Sequence, residues 1–144
     1  MKFKLDTGGM EEDFFENTRL LGIVAPIKDY LLCWQFNQIF RFKFKINNSI
    51  EIQLNKKHRN FFFTVYEYAE PNCSLIHYLY NNQHDGEFLL PEVKHLDYLW
   101  LMKGDYVSDE AILHMINAVK DISGIQFVME LTNEKIKNKG HLIF

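Results

Sequence analysis

Proline and glycine are scarce in this chain, at 3 and 7 of 144 residues, which excludes the linker-like and low-complexity compositions that stay unfolded. Cysteine is scarcer still. Cys33 and Cys73 stand alone, far apart and with no partner at a metal-ligand spacing; this excludes a disulfide scaffold and fits inert thiols in a reducing compartment. Long apolar runs are missing too. The longest nearly uncharged stretch, Tyr30 to Phe40, is broken by Gln35, Asn37 and Gln38 and falls well short of the ~20 apolar residues a spanning helix needs, so no membrane contact is expected. Met1 to Glu16 holds Asp6, Glu11, Glu12 and Asp13 where a signal peptide would be apolar, and a cytoplasmic location is expected. Neither sign of charge dominates: 16 basic residues stand against 19 acidic ones, a net −3, which excludes a protein that coats nucleic acid with its whole surface.

Aromatic residues, in contrast, are abundant, at 15% with 13 Phe, 7 Tyr and 2 Trp. With 47% hydrophobic residues, residues 1–144 read as a single domain with a substantial core.

The apolar pattern predicts the elements. Leu20, Leu21, Ile23 and Val24 form a short strand ended by Pro26. A helix follows from Ile27 to Phe40 with Leu32, Phe36, Ile39 and Phe40 on one face, widened by Leu31 and Trp34, and with Asp29 in its first turn. Arg41 to Ile46 alternates basic and apolar residues, and the turn at Asn47-Asn48-Ser49 pairs it with Ile50, Ile52 and Leu54 in a hairpin. Phe61 to Ala69 and Ser74 to Tyr80 form a second hairpin about Glu70-Pro71-Asn72. Asn81 to Glu87 reads as a polar loop. Phe88 to Leu90 and Leu96 to Met102 read as one strand interrupted at Pro91, which places an edge or bulge there. The second helix starts at an N-cap, Ser108, with Asp109 and Glu110 in the first turn and a Val107–Ile112 staple; Gly124 stands where a C′ glycine would. Its buried stripe is Ile112, Met115, Ile116 and Val119. A last strand alternates Ile125, Phe127, Met129 and Leu131, and Leu142-Ile143-Phe144 docks the terminus. The expected fold is α+β: one mostly antiparallel sheet with two helices on one face, related to the split β-α-β, ferredoxin-like arrangement.

Charge is unevenly spread. Residues 31–60 carry a net +5 from Arg41, Lys43, Lys45, Lys56, Lys57 and Arg59 against Glu51, and residues 61–109 a net −6. The first group is a candidate basic surface. Arg59 to Tyr66 partly fits the aromatic strand of RNA-recognition domains, although Asn60 and Phe62 replace its small residues and the element order differs. Six histidines include a Glu92–His95 spacing used by di-iron helices, but no second such pair exists and the segment reads as extended, so no metal or cofactor is expected. In a strand, His95 and Asp97 would share a face, close enough for a carboxylate to orient an imidazole. No phosphate loop, dinucleotide fingerprint or nucleophile elbow is present, and no residue is assigned a catalytic role.

Leu90-Pro91-Glu92-Val93-Lys94-His95-Leu96-Asp97-Tyr98 resembles the signature of the IPExxxVDY family, with Pro91, Glu92, Asp97 and Tyr98 identical to it. Leu21-Gly22-Ile23, Asp29-Tyr30, Tyr66-Glu67-Tyr68 and Leu142 to Phe144 look like further landmarks of that family. The resemblance implies a small cytoplasmic protein of Bacteroidota-type bacteria and brings no activity with it. The signature reads either as a structural device, in which Glu92 accepts free amides and Asp97-Tyr98 lock a bulge, or as a sheet edge near Glu92–Tyr98 held open for a protein partner. The functional expectation is a non-enzymatic interaction or regulatory domain. Its alternatives are an RNA-associated factor using the basic 41–59 surface and a small hydrolase-like enzyme at His95 and Asp97.

Overall fold

Strands that alternate apolar residues on both faces must be covered on both, and the chain does this with a central sheet between two dissimilar layers. The computed structural model describes residues 12–56, 58–132 and 136–144. In chain order the elements are β1 (Arg19–Val24), α1 (Asp29–Phe40), β2 (Lys45–Ile46), β3 (Ile52–Lys56), β4 (Arg59–Phe63), β5 (Val65–Ala69), β6 (Ile76–Asn81), β7 (Gln83–His84) and β8 (Glu87–Phe88). A 3₁₀ turn at Pro91–Val93, β9 (Tyr98–Lys103), α2 (Asp109–Lys120), β10 (Phe127–Glu130) and a closing 3₁₀ turn at Lys139–Leu142 complete them. The main sheet has six strands in the order β10-β1-β9-β6-β5-β2, and every pair of neighbours in it is antiparallel. Within it β1 and β6 run the same way with β9 between them, and β9 and β10 run the same way with β1 between them. This is the interleaving of a split β-α-β unit. The α+β expectation, with both helices on one face of a mostly antiparallel sheet, holds.

On the helix face, Leu32, Cys33 and Phe36 of α1 and Ile112 and Val119 of α2 pack on Leu21, Ile23, Leu79, Tyr98, Trp100 and Met102. Phe36 and Trp100 have ring centroids 5.0 Å apart. The opposite face, which shows Leu20, Tyr78, Tyr80, Leu99 and Leu101, is covered by the β3–β4 hairpin through Ile52, Leu54, Phe61 and Phe63. Leu89, Leu90, Val93 and Leu96, with Leu131, Ile136 and Leu142, complete that cover. The terminus docks as expected, with the Tyr80 hydroxyl donating to the Leu142 carbonyl at 2.9 Å.

Several expectations are corrected. The first hairpin is mispaired: β3 pairs with β4, not with residues 41–46, and β2 pairs with β5. Phe42 and Phe44 are buried as the alternation requires, but Asn37 Oδ1 accepts from the Phe44 N–H at 2.9 Å and holds this segment off the ladder. Trp34 and Leu31 do not widen the buried stripe of α1: Trp34 is 61% exposed, and Ile39 is exposed as well. Trp34 sits about 200° round the helix from Leu32. In the last strand Val128, not Phe127, faces the helices. The Ser108 hydroxyl caps α2 by accepting from Ala111 N–H at 3.1 Å, but α2 closes at Asp121, three residues before Gly124, because a further turn buries Ile122. The loop from Asn81 to Glu87 contains the β7–β8 hairpin.

The largest correction concerns Pro91. It opens a 3₁₀ turn laid over the sheet, and β9 lies between β1 and β6. Residues 91–97 form no strand, and Tyr98 opens a strand paired on both sides, so the open strand edge expected near Glu92–Tyr98 is not found in that segment. Pro91 serves as the N1 residue of the turn, where its missing N–H costs nothing.

Asn82, fully buried, fixes this overlay. Its side-chain amide donates to the carbonyls of Val93 at 3.1 Å and Leu96 at 2.9 Å, and its Oδ1 accepts from the Leu90 N–H at 2.8 Å. Its own N–H donates to Asp97 O at 3.0 Å, and its carbonyl accepts from Leu89 N–H at 2.7 Å. Removing the side chain strands the buried Leu90 N–H and the Leu96 carbonyl, each costing about 1–3 kcal/mol, and leaves the Val93 carbonyl with the Leu96 N–H alone. Asn82→Ala is therefore expected to lose roughly 3 kcal/mol or more in urea unfolding, while Asn55→Ala on the exposed hairpin stays within about 0.5 kcal/mol.

Candidate functional site

The signature residues are engaged inside the protein. Glu92 reaches the C-terminal segment: Oε2 accepts from the N–H groups of Lys137 and Asn138, each at 2.6 Å, and Oε1 from Asn138 Nδ2 at 2.9 Å. Partial burial raises its pKa, but the bonds from Asn138 and Lys137 outweigh that and hold the carboxyl below its ordinary 4.5. Asp97 ties down the turn that leaves β1. Its Oδ2 accepts from Ala25 N–H at 2.8 Å and its N–H donates to Ile23 O at 2.8 Å. The Tyr98 hydroxyl donates to Ile27 O, and burial followed by the nearby carboxylates of Asp29 and Asp97 pushes its pKa up.

The other landmarks meet the same cluster. Asp29 Oδ2 accepts from Asn81 Nδ2 at 3.0 Å, and burial followed by Asp29 raises the Tyr66 pKa. Gly22 lies at a close approach: a Cβ there would come within 2.4 Å of Leu96 Cδ1 and force that side chain to move. His95 and Asp97 do not form a pair. They lie before β9 and not in it, His95 is exposed, and the Asp97 carboxylate is engaged by Ala25.

A second cluster, which sequence reasoning missed, surrounds His77, fully buried on β6. Trp100 Nε1 donates to His77 Nδ1 at 3.0 Å, and Nε2 lies 3.1 Å from Glu70 Oε2. An indole N–H can only donate, so Nδ1 must accept and Nε2 carries the proton and donates to Glu70. Both nitrogens are occupied and the ring is enclosed by Phe42, Phe44 and Tyr68. The imidazole therefore has no lone pair to offer a substrate. Burial lowers its pKa below the ordinary 6.5, opposed by Glu70. The signal available in sequence is its alternation with Leu75 and Leu79 on the strand expected from Ser74 to Tyr80. The Cys33 thiol is likewise buried with its pKa pushed up by desolvation, which makes it a poor nucleophile.

The third feature is a groove of about 820 Å³ beside β2, lined by Phe42, Lys43, Phe44, Lys45, Tyr68 and Ala69 among others. Its size is that of a ligand-binding cleft. It exists because the 41–44 segment peels away from β5. Arg41 takes the left-handed position (φ 58°) that ends α1, and Asn37 catches Phe44. Phe42 then lies stacked on Tyr68, centroids 4.8 Å apart. Arg41, Lys43 and Lys45 are exposed and have no ion-pair partner among the described residues.

The expected basic surface is thus divided. Lys56 Nζ lies 2.9 Å from Glu87 Oε1, and Arg59 is paired with Asp85, so the acidic segment neutralises these two. Lys57 lies outside the described residues. The RNA-like aromatic strand is turned inward: Phe61, Phe63 and Tyr66 are buried, and Phe62 is the ring left half exposed. Among the described residues no group of three His, Cys, Asp or Glu side chains converges as a metal site, and no helix is long and apolar enough to cross a membrane.

Comparison with family models, with curated proteins and with solved structures gave no match.

Two outcomes follow from these contacts. Glu92→Ala should release the C-terminal segment, costing about 1–2 kcal/mol for charge-assisted bonds that are partly exposed; faster hydrogen exchange at Lys137 and Asn138, with β9 unaffected, is the check. For His77, the unfolded chain binds the proton more readily than the folded one. The folded state therefore keeps its full stability above pH 6.5 and loses it as pH falls from there toward the lowered native value. His77→Gln should flatten that part of the stability profile, measured by urea unfolding between pH 7.5 and 5; an unchanged slope would assign the loss to other groups.

Proposed function

We propose that the protein is a non-enzymatic interaction domain whose binding face is the cationic rim of the groove beside β2. One observation carries this reading. Arg41, Lys43 and Lys45 are left unneutralised among the described residues, whereas Lys56 and Arg59, from the same basic segment, are paired with acids. Charge held exposed beside an open groove is available to a partner, and it accelerates the encounter with an anionic one.

The engagement of Glu92, Asp97 and Tyr98 within the fold supports reading the signature as structural. Membership in the IPExxxVDY family is part of the proposal, and the packing of Gly22 against Leu96, from two separate landmarks, accords with it. The free thiols of Cys33 and Cys73 accord with a cytoplasmic setting.

The test is affinity purification from the native cytoplasm of the wild-type chain, a Lys43→Glu/Lys45→Glu variant and a Lys56→Glu variant, each with and without ribonuclease. A protein recovered in fixed proportion, resistant to ribonuclease, lost on the double reversal and kept by Lys56→Glu is the expected result. Recovery abolished by ribonuclease would favour the RNA-associated alternative, and recovery indifferent to the double reversal would overturn the assignment of the face.

A further inference from the structure

The groove beside β2 also contains a hydrogen-bonding edge. At the two ends of β5, Glu70 N–H donates to Leu75 O and Asn81 N–H donates to Thr64 O. Even-numbered residues of this segment therefore turn their backbone groups toward β6, and odd-numbered ones turn theirs outward. Outward-facing Val65 is met by Asn47, whose N–H donates to Val65 O at 3.0 Å, and Glu67 by Lys45. The same register would set Lys43 opposite Ala69, but β2 begins at Lys45. Ala69 is exposed, and its N–H and C=O face the groove with no partner among the described residues.

The surroundings specify what could pair there. Beneath the edge lies the Phe42–Tyr68 stack, an apolar floor. Lys43 and Lys45 line the groove and, with neighbouring Arg41, recur at every second residue and are exposed, alternating with buried Phe42 and Phe44. An extended strand has the same two-residue period, so a segment alternating acidic and apolar side chains would meet cations on one side and rings on the other. Glu67, at the inner end of the groove, is held by Asn47 Nδ2 at 2.5 Å and stands opposite Lys45. The lysines also select against a second copy of this edge, which would bring like charges together. The far edge of the sheet, β10, lacks this character, because Arg19 beside it is consumed by Glu130 and Asp109.

We propose that this edge takes up an extended acidic segment of a partner protein by strand addition, with the backbone of Ala69 supplying the hydrogen bonds and Arg41, Lys43 and Lys45 the charge selection. The inference rests on the cationic-face reading above and adds its mode and the chemistry of the partner. The probe is a short fluorescein-labelled peptide of alternating glutamate and valine, titrated by anisotropy against the full chain. A peptide with lysine in place of glutamate and an oligouridine RNA serve as comparisons.

Ala69→Pro deletes the outward N–H without touching the β5–β6 ladder, a position where proline is tolerated; Ala69→Ser keeps that N–H. Binding of the acidic peptide should weaken about tenfold in Ala69→Pro, stay within about twofold in Ala69→Ser, and be lost in Lys43→Glu/Lys45→Glu. N-methylation of the peptide backbone on the wild-type protein gives the same loss without any change to the fold, should Ala69→Pro be unstable. Equal binding by Ala69→Pro and Ala69→Ser, with N-methylation harmless and the charge reversal still effective, overturns strand addition and leaves the cationic face standing. Acidic peptide binding no tighter than the lysine peptide overturns both. Oligouridine bound more tightly than the acidic peptide overturns the protein partner in favour of RNA.

Discussion

A carboxamide side chain has two N–H donors and one carbonyl acceptor, and at Asn82 all of these are used inside a site closed to water. The need to satisfy them fixes where the segment from Leu89 to Asp97 can lie. That segment covers the face of the sheet opposite the helices, and it brings Leu89, Leu90, Val93 and Leu96 onto Leu99 and Leu101. Without the amide the Leu90 N–H and the Leu96 carbonyl would have to be buried unpaired or stay in water. The apolar cover, the 3₁₀ turn at Pro91 and the position of Glu92 over the C-terminal segment all follow from one buried polar residue. The hydrophobic effect supplies most of the energy of this layer, and Asn82 determines its register.

From that placement the signature residues act in two directions. Glu92 reaches forward to Lys137 and Asn138; Asp97 and Tyr98 reach back to Ala25 and Ile27. The chain leaving β1 and the chain approaching the terminus are thus tied to the same overlay, which itself rests on β1 through the contact of Leu96 with Gly22. Acid, imidazole and phenol groups often mark catalysis, yet here each one has its hydrogen-bonding capacity directed at backbone or at a buried neighbour. The His77 ring makes the same point: its imidazole accepts from Trp100 and donates its one N–H to Glu70, which leaves neither nitrogen to a substrate.

Elements whose signal is local were legible in the sequence. The Ser108 cap with Asp109 and Glu110, the short β1, the turn at Glu70-Pro71-Asn72 and the docking of Leu142 follow from capping, period and turn chemistry, and all are present. What failed depended on pairing across the chain. Residues 41–46 have a strand's period, but period does not say which strand lies alongside, and Asn37 rather than a hairpin partner decided the matter. Pro91 was read as an edge because a proline cannot donate to a ladder; it lies outside the sheet, a possibility that period alone does not distinguish. Asn82 and His77 were missed for a related reason. A polar residue beside a strand looks exposed until the partners that satisfy it, distant in sequence, are folded against it.

The distribution of charge follows from the same topology. Lys56 and Arg59 flank the tip of the β3–β4 hairpin, which folds over the sheet toward β7 and β8 and so brings them to Glu87 and Asp85. Arg41, Lys43 and Lys45 stand at the opposite boundary, on the outermost strand and the segment leading into it, where Glu67 stands across from Lys45 but none of the three forms an ion pair among the described residues. One basic segment, with one composition, is therefore half neutralised and half displayed according to which side of the sheet each part occupies. Local charge acts on a partner within roughly a Debye length, about 10 Å in ordinary salt, so the display at β2 is governed by its own neighbours and not by the net −3 of the whole chain. A protein with a mildly acidic total can thus present a cationic edge, and the open backbone at Ala69 lies within that edge.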